Sequence, residues 1–173
     1  MATPDEIAER FRQSDFHDDT MPPTIRRAAA SDAPDLSRLV GQYWAFESID
    51  GHDLRGIESL LRDVLAAPDR AACWVADDNG DLTGYLFAVF VFSLEHGGLM
   101  AEVDEFFVVP GARGHGIGLA LLQHAERALG RLGVVRLQLQ VGVDNQHARE
   151  FYMDNGYARR SGFEIWDKPL SVV

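Results

Sequence analysis

The sequence has a single cysteine, Cys73, among 173 residues. No intrachain disulfide can form, so the expected setting is the reducing cytoplasm. Cys73 lies in the apolar stretch AACWVA and reads as a small buried hydrophobe rather than a nucleophile. Long hydrophobic runs are also missing. The longest, Tyr85 to Phe92, has the length of a strand and falls short of the ~18 residues that a membrane helix needs. The first residues, MATPDEIAERFRQSDFHDD, are acidic and contain no hydrophobic region, which reads against a secretory signal. They are expected to form an N-terminal arm, residues 1–22, with a short helix from Pro4 to Arg12, ahead of one domain over residues 23–173. Cations are in deficit: 16 Lys and Arg against 27 Asp and Glu give a net charge of −11. That balance excludes nucleic acid as a partner, and it suits a cationic substrate because a negative field attracts amines. Metal-ligand spacing is absent as well. His17, His52, His96, His115, His124 and His147 form neither H-E-x-x-H nor any Cys/His zinc pattern, so no metal is expected.

The sequence does supply an ordinary apolar fraction, 46%, over a length suited to one core. Thr24 to Ala28 reads as a first strand. Asp32 offers a helix cap, and Leu36, Leu39, Val40, Tyr43 and Trp44 recur at helical spacing to about Glu47. A loop through Asp53 leads to a second helix carrying Ile57, Leu60, Leu61, Val64 and Leu65, which stops before Pro68. Strands follow at Ala71–Ala76, Leu82–Phe92 and Leu99–Val108, the first two joined by an Asn79-Gly80 turn. Ile117 to Leu132 is an amphipathic helix closed by Gly133. Val134–Val141 reads as a fifth strand, Asn145–Asn155 as a short helix, and Tyr157–Arg160 with Gly162–Trp166 as a terminal hairpin. The order is neither a series of βαβ units nor a fixed-period repeat.

The stretch from Val103 to Leu132 carries the chemistry. A strand bearing acids breaks at Pro110-Gly111, passes through Arg113-Gly114-His115-Gly116-Ile117-Gly118 and becomes a helix. Free N–H groups and the dipole at a helix start hold phosphate, and glycines let the backbone approach it. Gly111 and Gly116 have P-loop spacing, but Ile117-Gly118 stands where Lys-Ser or Lys-Thr is needed. Gly114 and Gly116 begin a dinucleotide fingerprint, but Leu119 occupies the place of its third glycine. The pattern that fits is R-x-x-G-x-G, with Arg113, Gly116 and Gly118, between FFVVP and IGLALL.

From about Thr24 to Lys168 this resembles the GCN5-related N-acetyltransferase superfamily. A second block, Asn145 to Tyr157, is similar to that family's N-x-x-A-x-x-F-Y-x-x-x-G-[FY] segment. The run D-E-F-F-V followed by R-G-x-G-I-G is similar to the diamine (spermidine/spermine) and thialysine acetyltransferase branch. The resemblance implies an α/β (α+β) fold, with a mixed, mostly antiparallel sheet of about six to seven strands and about four helices. A splay between strands 4 and 5 would admit acetyl-CoA. The implied activity is acetyl-CoA-dependent N-acetylation of a small primary amine, such as a polyamine or amino acid, by direct transfer in a ternary complex. Alternatives are a protein or peptide N-acetyltransferase and a non-catalytic acyl-CoA-binding sensor. A homodimer is implied.

The resemblance also implies roles for residues. The backbone from Arg113 through Gly114, His115, Gly116 and Ile117 to Gly118 would take the diphosphate, with the Arg113 side chain adding charge. The strand backbone at Phe106, Val108 and Val109 would pair with the pantetheine arm, and the Val108 N–H would meet the thioester carbonyl. Asn145 would contact the cofactor and cap its helix. Tyr152 would lie near the sulfur as general acid. Asp104 stands where the diamine branch has its general-base glutamate; it is one methylene shorter, which favours relay through water. Glu105 matches a second acid of that motif. Strand alternation puts Glu102 and Asp104 on one face and Glu105 on the other. Glu47, Asp50, Asp53 and Glu102 would give a cationic amine its counter-charge.

Overall fold

A computed structural model describes residues 22–49, 56–162 and 164–170. The N-terminal arm up to residue 21, with its expected helix, lies outside the described residues, as do Asp50 and Asp53. The chain divides into two compact units, Met1–Gln138 and Leu139–Val173.

The first unit is built on a sheet with strands in the order β1 (Thr24–Arg27), β2 (Ala71–Asp78), β3 (Asp81–Ser93), β4 (Gly98–Val108) and β5 (Arg136–Leu139). The first four pair antiparallel. β5 runs in the direction of β4: Val135 N–H donates to Leu99 O at 2.8 Å, and three residues on, Gln138 Nε2 donates to Glu102 Oε2 at 2.8 Å. The sheet is therefore mixed. Asn79 and Gly80 have φ of 53° and 97°, as their turn requires, and Asp77 Oδ1 accepts the Gly80 N–H at 2.7 Å.

Two layers of helix cover the sheet. α1 (Ala33–Phe46) and α2 (Ile57–Leu65) lie on one face. Leu36, Leu39 and Val40 of α1 and Leu61 of α2 pack there with Cys73, Val75, Tyr85 and Phe107. Tyr85 and Gly84 are consecutive strand residues, so they point to opposite faces. On the Gly84 side lies α3 (Ile117–Arg131), which buries Leu121, Leu122, Ala125 and Leu129. A Cβ at Gly84 would stand 2.9 Å from Phe107 O and 3.3 Å from Leu121 Cδ1, so only glycine lets β3, β4 and α3 approach this closely.

Asp32 does not cap α1 with its side chain. Its carboxylate instead accepts two hydrogen bonds from the Arg26 guanidinium, both 2.8 Å, and one from Ala29 N–H at 2.7 Å. Arg26 Nε also donates to Asp77 at 2.8 Å. A bidentate partner outcompetes a cap, and the result ties β1, the entry to α1 and the β2–β3 turn together.

Among the described residues the second unit contains one helix, α4 (Gln146–Asp154). The expected terminal hairpin is not formed: among the described residues after α4 there is no strand, and Ile165 and Trp166 are 72% and 87% exposed. Among the described residues the sheet accordingly has five strands rather than six or seven. Alternating residues become a strand only against a partner edge, since an isolated hairpin is marginal in water.

Candidate active site

β4 and the turn that follows it form the frame of the site. A 3-10 turn, Pro110–Ala112, carries the chain off the strand. Gly114 and Gly116 adopt left-handed backbone, φ +81° and +77°, and a Cβ at either would meet nothing within 4 Å. Glycine is thus required by conformation, and open space flanks it. The first bond of α3 is Ala120 N–H to Gly116 O at 2.9 Å, so the N–H groups of Ile117, Gly118 and Leu119 precede the helical ladder. Buried Ile117 anchors the turn, while His115 is exposed. Gly118 lies over the strand: its Cβ would stand 3.7 Å from Phe106 Cζ and 3.9 Å from Val108 Cγ2. Donors that precede the helical ladder, beside two glycines that present no side chain, fit a diphosphate.

The strand itself sorts its backbone groups. Val109 N–H donates to Thr83 O at 3.0 Å, so it is engaged within the sheet. Val109 and Thr83 extend the register in which Val108 faces Gly84 and Phe107 faces Tyr85. In an antiparallel pair alternate residues bond the same neighbour, so Phe107 also turns its polar groups to β3. Phe106 and Val108 turn theirs to the opposite side. Val108 O is reached there by Arg113 Nε at 2.8 Å. The Arg113 guanidinium then stacks over Phe46, the last residue of α1, 4.4 Å from the ring centroid, and lies 5.5 Å from that of Phe107. Its backbone N–H donates to Pro110 O at 3.3 Å. The arginine of the glycine motif is thus held against the strand and α1.

The acids of β4 are arranged differently from simple alternation. Phe87 pairs with Glu105 but Ala88 with Val103, which leaves Asp104 as the extra residue of a β-bulge. Glu102 opposes Val89, two residues from Phe87, so Glu102 and Glu105 share a face. The sequence expectation that they are opposed is corrected by this one inserted residue. Asp104 is near them. Partial desolvation, with the Glu102 charge adding to it, pushes the Asp104 carboxyl above the ordinary aspartate range although the residue is solvent-accessible. Tyr43 of α1 senses the same group: burial first, then Glu47, Glu105 and Asp104, push its phenol up to about 12.

Glu105 is half-buried and engaged. Trp44 Nε1 donates to its Oε1 at 2.6 Å and Tyr85 OH to its Oε2 at 2.7 Å. Burial and then the Glu105 charge push the Tyr85 phenol far up, so it remains a donor. Glu102 accepts from Gln138. Trp44, Tyr85 and Gln138 are partners of these acids that no local pattern in the sequence points to. A buried Tyr or Trp carries a donor that needs an acceptor, which is the one signal in the sequence for the first two. Glu47 is exposed just past α1, its N–H bonded to Tyr43 O at 2.9 Å. Cys73 is 1% exposed, and burial pushes its thiol up, as befits a core residue.

In the second unit Asn145 caps α4, its Oδ1 accepting Ala148 N–H at 3.0 Å. Tyr152 packs edge-on between Phe151 and Tyr157, with ring centroids 5.3 and 5.4 Å away. Among the described residues no group of His, Cys, Asp and Glu could hold a metal ion, and no helix is long and apolar enough to cross a membrane.

Residues 34–157 match the Acetyltransferase (GNAT) family. The uncharacterized N-acetyltransferase YhfO of Bacillus subtilis is 34% identical over 139 residues, 80% of this chain and 92% of that protein. The peptidyl-lysine N-acetyltransferase YiaC of Escherichia coli is 30% identical over 135 residues, 77% of this chain and 82% of that protein. Among solved structures, an integron cassette protein from the mobile metagenome of Cole Harbour salt marsh superposes with a TM-score of 0.72 at 31% identity, covering 85% of this chain and 90% of that one.

Proposed function

The chain belongs to the GNAT acetyltransferase family and is an N-acetyltransferase; from that premise we propose that it carries the acetyl group of acetyl-CoA to a small primary amine, a polyamine, amino acid or similar, by direct attack in a ternary complex. The observation that carries this reading is the bulge at Asp104, which brings Glu102 and Glu105 to one face with Asp104 between them. Asp104 and Glu105 are close enough for their charges to act on Tyr43, and they stand on the strand that leads into the glycine loop. An acidic face suits a cationic amine, and a carboxyl with a raised pKa suits proton uptake from an ammonium, whose own pKa is near ~10.

Acetyl-CoA supplies the activated acyl group as a thioester. The N–H groups from Gly114 to Gly118 hold its diphosphate. The outward backbone of Phe106 and Val108 pairs with the pantetheine arm, and Val108 N–H donates to the thioester carbonyl. Arg113 contributes by fixing the Val108 carbonyl. Asp104 takes the amine proton through a water, because its side chain is short. Glu102 and Glu47 supply counter-charge, and Asp50 and Asp53 belong to the same acceptor-side loop in this reading. Tyr152 returns a proton to the departing thiolate, and Asn145 assists in holding the donor; both roles rest on the resemblance of their segment. The reading extends to a cytoplasmic homodimer, for which the solution mass should be twice that of one chain.

A second reading, transfer to a lysine side chain of a peptide, is favoured by the likeness to YiaC. A free-thiol assay over polyamines, amino acids, aminoglycosides and lysine peptides separates the two. Turnover concentrated on small amines supports the first. Turnover on peptides alone rejects it.

A further inference from the structure

Asp104 and Glu105 are adjacent acids with opposite surroundings. Asp104 sits at the bulge and is solvent-accessible. Glu105 is half-buried, and each of its oxygens accepts a donor, one from α1 and one from β3. We propose that Glu105 is a positioning residue for the acetyl transfer: through Trp44 it locks the last turn of α1 to β4, and through Tyr85 it is itself locked to β3.

The geometry follows from the helix. Trp44 is the neighbour of Tyr43 and lies three residues before Glu47, so the rotation of α1 that brings the Trp44 indole to Glu105 also sets where Tyr43 and Glu47 stand. The rest of the contact is aromatic. Phe107 holds Tyr43, Phe46 and Tyr85 at centroid distances of 5.9, 6.2 and 6.5 Å. Aromatic contacts alone tolerate sliding, whereas a short, charge-assisted hydrogen bond at 2.6 Å does not. Tyr85 is 1% exposed, so its hydroxyl has no access to solvent as a substitute acceptor. Reaction geometry is sensitive to displacements of this kind, and a site needs such supporting contacts.

The inference rests on the assignment of proton uptake to Asp104, and its test keeps the two apart. Glu105→Gln, Trp44→Phe, the double variant and Asp104→Asn are compared in the full chain, using the acceptor that the panel ranks first. Glu105→Gln and Trp44→Phe should each lower kcat/KM for the acceptor by roughly tenfold, the cost of one charge-assisted hydrogen bond, and leave KM for acetyl-CoA within about twofold by the same bookkeeping. Their effects should not add, because both act on the same contact: Gln leaves one neutral acceptor oxygen for two donors, and Phe removes the indole donor. The acidic limb of the pH profile should stay in place in Glu105→Gln. Amide exchange should quicken in Val40–Phe46 and not in Ile57–Leu65.

Loss of the acidic limb in Glu105→Gln would make Glu105 the base and overturn the proposal, as would additive effects, an equal rise in both KM values or unchanged exchange in α1. If Asp104→Asn keeps its acidic limb while Glu105→Gln behaves as expected, the positioning role stands and the base assignment fails. Trp44→Phe leaves the carboxylate in place, so it carries the test if Glu105→Gln does not fold.

Discussion

Arg113 donates through Nε to the carbonyl of Val108 at 2.8 Å, and with that bond the arginine of the glycine motif braces the end of β4. The guanidinium face lies on Phe46. A planar fork that donates along one edge and stacks through its face is a task lysine does not perform.

Arg113→Lys and Arg113→Gln should therefore be similarly impaired. Each should lose roughly 1–2 kcal/mol in kcat/KM, the sum expected from one hydrogen bond and one exposed cation–π contact. Steady-state kinetics checks this. Full retention of activity by lysine with loss by glutamine would mean that charge alone matters and that the contact with Val108 does not.

The glycines of the loop should separate by role. Gly116→Ala places a Cβ at φ +77°, which costs about 1–2 kcal/mol for an L-residue. Its melting temperature and its affinity for acetyl-CoA should both fall. Gly118→Ala meets its nearest atom at 3.7 Å and should keep the fold, gaining up to ~1 kcal/mol from helix propensity. Thermal melts of the two variants side by side test the distinction.

Desolvation, and after it the Glu102 charge, raises the Asp104 carboxyl above the ordinary aspartate range. Glu102→Gln keeps an acceptor for Gln138 and removes that charge. The Asp104 pKa should drop, so the acidic limb of kcat/KM should move to lower pH. An unmoved limb would uncouple the two acids.

The same shift has a consequence for stability. A carboxyl whose folded pKa is raised costs stability once the pH exceeds its unfolded value, and the cost vanishes below that value, where both states are protonated. Asp104→Asn should thus stabilise the protein near pH 7, by about 0.2–1 kcal/mol for a solvent-screened charge. The gain should disappear by about pH 3, below the ordinary aspartate pKa. Denaturant melts at the two pH values check the sign.

How far the sequence reached follows from which interactions are local. The strand–loop–helix at Val103–Leu132 is legible because glycine, proline and helical periodicity act within a few residues. The bulge at Asp104 was not, since it is decided by where β3 places Phe87 and Ala88. The link from Trp44 to Glu105 spans 61 positions, and no local rule joins them. The Tyr157–Trp166 stretch shows the converse. Its alternation was plain, yet Ile165 and Trp166 stand exposed without a strand, because pattern alone does not supply a partner.

Acetyl-CoA at a hundred times its Kd should stabilise the chain by about 2.7 kcal/mol, an upward shift of roughly 5–10 °C in Tm for a protein of this size. No shift at saturating ligand would remove the donor assignment.

The most direct measurement follows the acetyl group itself. The protein is mixed with acetyl-CoA, first without and then with the best acceptor, and intact-protein mass, acceptor mass and free thiol are read together. Direct transfer predicts an unmodified chain in the first mixture, and in the second an N-acetylated amine formed in equal amount to free CoA thiol. An acetylated protein before amine is added, or thiol release with no acetylated amine, would contradict it.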